Sequence, residues 1–69
     1  MKVEYDPEAD AAYIKLTEAD VAESEEVKPG IILDYDAQER VVGIEILYVS
    51  KRRPDIDLER LEVETVKRT

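Results

Sequence analysis

Apolar and polar side chains alternate from the start of the chain. Val3 and Tyr5 alternate with Lys2 and Glu4, and Ala12, Ile14 and Leu16 alternate with Tyr13 and Lys15. A period of two sends successive side chains to opposite faces of a strand, so both segments read as strands with one apolar face. Pairing Tyr5 with Ala12 sets Val3 against Ile14 and makes the two apolar faces coincide, which predicts a hairpin. Between them, Asp6-Pro7-Glu8-Ala9-Asp10 has turn chemistry. The Asp6 carboxylate can accept the first free amides, and Pro7, which lacks a donor, suits the position after it.

The next stretch has no apolar face. Val21, Glu23, Glu25 and Val27 share one side, and Ala22, Ser24 and Glu26 the other. Glutamate is disfavoured in strands but tolerated at a sheet edge, where charge discourages aggregation, so an exposed edge strand is expected. Lys28-Pro29-Gly30 ends it as a turn.

Residues 31–35 and 41–49 predict a second hairpin. A four-residue loop, 36–39, sets Leu33 opposite Val42 and Ile31 opposite Ile44. One residue more would set them against Gly43 and Glu45, so the shorter loop is expected. Gly43 inside a strand predicts a bulge or a close approach of another group to the backbone. Val42, Ile44, Ile46 and Tyr48 form one stripe, while Val41, Leu47 and Val49 lie on the other side. A strand apolar on both sides is ordinarily covered on both.

Residues 54–69 are the expected cover, through a short turn capped by Asp57 and containing Leu58 and Leu61, or through an extra strand within 57–67. The fold class expected is mainly β, or small α+β. One domain over 1–69 would hold an antiparallel sheet of hairpins with a C-terminal helical turn or additional strand.

Composition narrows the function more than it names it. Charged residues make up 41% of the chain, against about 25% in typical domains. There is no cysteine and no histidine, which excludes disulfides, zinc–thiolate sites, thiol chemistry and the usual proton carrier near neutral pH. Residues 1–39 carry 12 acids and three bases, and 40–69 carry six acids and seven bases. An acidic first half repels phosphate backbones, so no nucleic-acid partner is expected. No apolar run is long enough to span a bilayer and no secretory segment is visible, so a cytoplasmic protein without a membrane partner is expected.

Candidate chemistry is sparse. Asp6, Glu8 and Asp10, with Asp34 and Asp36, invite a cation-binding or acid–base reading, but the spacing matches no calcium loop and turn capping accounts for the aspartates. Ser24 and Ser50 have no histidine to activate them, and Gly30 and Gly43 make no phosphate loop. Lys51-Arg52-Arg53 reads as a solvated strand end. No enzyme activity, cofactor, metal site or catalytic residue is expected. A small core without staples favours self-association. Tyr13, Ile32, Val41, Leu47 and Val49 are the expected interface residues, and a basic protein is a further candidate partner for the acidic half.

Two blocks carry a family resemblance. Tyr5-Asp6-Pro7-Glu8-Ala9-Asp10-Ala11-Ala12-Tyr13-Ile14 is one. Pro29-Gly30-Ile31-Ile32-Leu33-Asp34-Tyr35-Asp36, followed by Val41-Val42-Gly43-Ile44-Glu45-Ile46, is the other. Together they resemble a small prokaryotic family known as a domain of unknown function, number twenty-two eighty-three in that series, over residues 1 to about 53. The resemblance implies a stand-alone domain and, from toxin-like neighbours of some members, an antitoxin role. It implies no activity and no catalytic residues. Ala37-Gln38-Glu39 stands where the family pattern has a Gly- or Asn-containing turn.

Overall fold

Asp6 ends the first strand by folding its carboxylate back onto the chain that follows. Its Oδ1 accepts the amides of Glu8 at 3.0 Å and Ala9 at 3.4 Å. The hairpin so formed joins β1 (Lys2–Asp6) to β2 (Ala11–Lys15), with Tyr5 paired to Ala12 and Val3 to Ile14, as the alternation predicts. The remaining elements are β3 (Glu23–Lys28), β4 (Ile31–Tyr35), β5 (Val41–Leu47) and the helical turn α1 (Val49–Arg52). This computed structural model describes residues 1–68.

The five strands form one antiparallel sheet in the order β1-β2-β5-β4-β3. β5 lies at the centre, which accounts for its apolar richness. β3 is an edge strand exposed along its whole length. Residues 16–22 cross from β2 to that far edge, fastened by Leu16 donating to the Val42 carbonyl at 2.9 Å and Ala22 donating to that of Tyr35 at 2.7 Å.

The β4–β5 register corrects the expected one. Tyr35 pairs with Val41 across a five-residue loop, and the register then shifts so that Asp34 meets Gly43, Leu33 meets Ile44 and Ile31 meets Ile46. Leu33 therefore does not face Val42, nor Ile31 Ile44. The loop is set by Asp36, whose carboxylate accepts the amides of Gln38 and Arg40 and the Arg40 Nε–H, each at 2.9 Å. Glu39 adopts the positive φ, 64°, that a Gly or Asn would take more easily. An extra residue in β5 beside Gly43 restores the match of apolar faces that the longer loop would have broken.

Strand β5 also stops earlier than its hydrophobic pattern predicts. Tyr48 turns into the left-handed region at φ 57° and α1 follows. Side chains at both ends of the turn tie it to the sheet end. Arg52 donates through Nε to the Leu47 carbonyl at 2.7 Å and through Nη2 to that of Pro29 at 2.5 Å. Ser50 donates from its amide and hydroxyl to the two oxygens of Asp10 at 3.1 and 2.8 Å, and Tyr5 donates its hydroxyl to Asp10 at 2.8 Å. Gly30, at φ 76°, leaves room for the Arg52 guanidinium, on which any Cβ there would fall.

Residues 54–68 do not provide the expected cover. They form neither helix nor strand, and every one of them is exposed. Asp57 does cap a turn, accepting the Glu59 amide at 3.0 Å, but Ile56, Leu58, Leu61, Val63 and Val66 remain 37–72% exposed. Among the described residues, the buried apolar set is Ala12, Val42 and Val49. No helix among them is long and apolar enough to cross a membrane.

Two carboxylates link this fold to pH. Hydrogen bonds from the Ser50 hydroxyl and amide, then from Tyr5, hold Asp10 below the ordinary carboxylate range. The Arg40 amide, then Gln38 and the Arg40 side chain, do the same for Asp36. A depressed folded pKa contributes stability that is complete above the unfolded value near ~3.9 and is lost as pH falls through the folded value. Thermal unfolding midpoints should therefore hold down to about pH 5 and fall below about pH 4. In Asp36→Asn the decline should be shallower.

Candidate functional site

The two faces of the sheet differ sharply, and strand alternation decides which residue belongs to which. On one face, the pairings Tyr13–Glu45, Asp34–Gly43 and Ser24–Asp34 bring a tyrosine, two carboxylates and a serine together from four strands. Gly43 lies between Tyr13 and Asp34. A Cβ there would fall on the Tyr13 hydroxyl, 2.5 Å from its Cζ, so glycine is what lets the phenol cross the central strand. The Tyr13 hydroxyl donates to Asp34 Oδ2 at 2.8 Å, and the Ser24 hydroxyl donates to Oδ1 at 2.6 Å. Bonding to the Asp34 carboxylate, with partial burial, pushes the Tyr13 phenol up to about 12.

Beside this belt is a shallow depression of about 250 Å³ lined by Glu4, Tyr5, Asp6, Ala9, Ala11, Ala12, Tyr13 and Glu45. Asp6 is committed to its turn, the Tyr13 hydroxyl donates to Asp34, and Ser24, outside the depression, donates to the same carboxylate. The aspartates singled out by sequence are dispersed. Asp10 holds α1, Asp34 the belt and Asp36 its own loop. Among the described residues no three carboxylates converge as metal ligands.

The expected interface residues fall in three places. Tyr13, Ile32 and Leu47 are half-buried and share the polar face with Glu45 and Asp34. Val41 is exposed at the bulge, and Val49, 3% exposed, is inside the protomer's core. Lys51-Arg52-Arg53 is partly spent on the chain itself, through Arg52 as above and through Arg53, which pairs with Asp55 at 2.8 Å.

The opposite face carries Val3, Tyr5, Ala12, Ile14, Ile31, Leu33, Tyr35, Val42, Ile44 and Ile46 by the same register. Apart from Ala12 and Val42 these side chains keep partial or full exposure, Val3 at 41%. Among the described residues no second layer of secondary structure packs on them, since the one helix, α1, is only four residues long. On the β3 side, Glu23, Glu25 and Lys28 pair with Tyr35, Leu33 and Ile31 and give this face a charged rim of two acids and one base. Sequence patterning identifies these apolar residues, but of the interface residues it expects, Tyr13, Ile32 and Leu47 lie on the opposite face.

A family model described as "Protein of unknown function (DUF2283)" matches residues 2–50, and the chain belongs to that family. No curated protein and no solved structure matches it. The matched span contains every strand and both conformational glycines.

Two measurements test the belt. Gly43→Ala should destabilise the protein by about 1–3 kcal/mol in urea unfolding, the range for overfilling a packed position, and should cost much less when Tyr13 is also changed to Ala. In ultraviolet titration, Asp34→Ala should bring one tyrosine down from about 12 toward the ordinary value near ~10.

Proposed function

We propose that this chain is a protein-interaction module that self-associates through the apolar face of its sheet and works by binding rather than by catalysis. One observation carries the reading: a face apolar across β1, β2, β5 and β4 has no second layer of helix or strand among the described residues and keeps all of its side chains but Ala12 and Val42 at least partly exposed. Exposed apolar patches of more than a few hundred Å² mark interaction surfaces in folded proteins. Five strands about 4.8 Å apart and about five residues long at ~3.4 Å per residue present roughly 400 Å² in projection, which is at that threshold before side-chain relief is counted. Commitment of the polar-face hydroxyls and carboxylates to strand-fastening hydrogen bonds supports a binding role over a reactive one.

A second reading rests on β3. Its Glu23, Glu25 and Glu26 side chains stand on an exposed edge, and residues 1–50 hold 13 acids against four bases. Such a field steers cationic proteins inward, which fits an antitoxin-like partnership with a basic protein. The two readings are compatible, because edge and face are different surfaces.

Size-exclusion chromatography with light scattering should return a dimer or larger assembly at micromolar concentration. Val3→Asp, at a position already exposed in the protomer, should weaken association at least about tenfold, or 1.4 kcal/mol, with an unchanged circular dichroism spectrum. A strict monomer at hundreds of micromolar would remove the self-association reading. Binding to a basic protein that is lost at high salt and in Glu23→Lys/Glu25→Lys would support the second.

A further inference from the structure

The outer edge of β1 is open and regular. Leu16 turns its amide toward β5, onto the Val42 carbonyl, and the backbone groups of successive strand residues point to alternate sides. Ala12 and Ile14 therefore bond toward β5, and Ala11, Tyr13 and Lys15 toward β1. The partners of those three, Asp6, Glu4 and Lys2, are spent on β2. That leaves the N–H and C=O of Val3 and Tyr5 aimed outward from the sheet, where they need a partner other than this chain's strands. β1 pairs with β2 without a register break and holds no proline, so nothing in the strand prevents another from being added.

We propose that two copies join β1 to β1 as antiparallel neighbours around a twofold axis at Val3, which extends the five-stranded sheet continuously from one copy into the other. Opposed residues must share a face, so the axis has to pass through a residue, and charge selects which. An axis at Lys2 sets lysine on lysine, one at Glu4 sets glutamate on glutamate, and one at Tyr5 sets Glu4 on Asp6. An axis at Val3 sets Lys2 against Glu4 of the other copy, twice, on the polar face, and Val3 against Val3 on the apolar face. Each Val3 then exchanges both of its open backbone bonds with its counterpart. Lys2 and Glu4 are more than half exposed and approach each other within one copy only to 3.9 Å. Lys2 also stands beside Lys15, a like charge that the second copy's Glu4 offsets. The other edge does not match itself. With the axis at Ser24, Glu25 or Glu26, β3 sets glutamate on glutamate, and its register breaks between Glu26 and Lys28. Pairing through β1 places the two acidic β3 strands at the outer margins of the joined sheet. They stand roughly 43 Å apart at ~4.8 Å per strand, well beyond a screening length of ~8 Å. This contact is separate from the apolar-face reading, since it uses the edge and leaves the two apolar faces side by side.

The test exchanges charge in the full chain at these two exposed positions, which lie on the side of the sheet away from the apolar face. Lys2→Glu and Glu4→Lys each turn two attractions into two repulsions. Each should raise the dissociation constant at least about tenfold in sedimentation equilibrium, with an unchanged circular dichroism spectrum. An equimolar mixture of the two variants restores both opposite-charge pairs, as does the double variant Lys2→Glu/Glu4→Lys. Both samples should return to within about threefold of wild-type affinity. The Val3 amide should resist hydrogen exchange in the wild-type assembly and exchange freely in either single variant. Single variants that associate as tightly as wild type would overturn edge pairing while leaving the apolar-face reading standing, because neither position lies on that face. Weakened single variants with no recovery in the mixture or the double variant would overturn it as well. A wild-type monomer at hundreds of micromolar would overturn both proposals together.

Discussion

A sheet with one apolar face needs a second layer, and the described residues do not supply one as helix or strand. Stable domains bury an apolar face against another element, yet here a single five-stranded sheet is accompanied by one helical turn of four residues. The contacts that shape the molecule are polar and peripheral. Asp36 sets one loop, Asp10 gathers Tyr5 and Ser50, and Arg52 ties the end of β5 to the β3–β4 turn. They fix geometry and register, but they do not remove apolar surface from water, which is the dominant stabilising term in folding.

How much of this was legible in the sequence depended on how local the determinants were. The β1–β2 register could be read from the alternation of Val3, Tyr5, Ala12 and Ile14, because a hairpin's pairing is set by its own turn and faces. The edge character of β3 followed from its glutamates. The β4–β5 register was two residues out at Leu33, since Asp36 and Arg40 close a five-residue loop and the extra residue beside Gly43 compensates. Face matching alone cannot separate a short loop from a longer loop plus a bulge, because both align apolar sides. The early end of β5 depended on Asp10 and Pro29, remote in sequence, and no local pattern shows that.

The polar face was partly legible. Gly43 within a strand announced a bulge or a close approach, and both are present. That the approaching group is Tyr13 could not be read, because it requires β2 to lie beside β5, a pairing between strands separated by two others in the chain. Tyr13 thus has a structural duty that its amphipathic character alone did not suggest. The apolar face was misjudged for a different reason. Its residues are those of a core, and patterning reports the preference to be buried without saying which chain does the burying. The extra cover, from residues 54–69 or from a second copy, was expected over the side bearing Val41 and Leu47 and not over this face.

The central claim is that the face bearing Ile14, Leu33 and Ile44 is shielded in solution although the protomer leaves these side chains partly exposed. Methyl relaxation enhancement by a neutral soluble paramagnetic probe reads that property directly. These methyls should be protected at working concentration and become accessible on dilution below the dissociation constant. Free access of the probe to all three at every concentration would contradict the account.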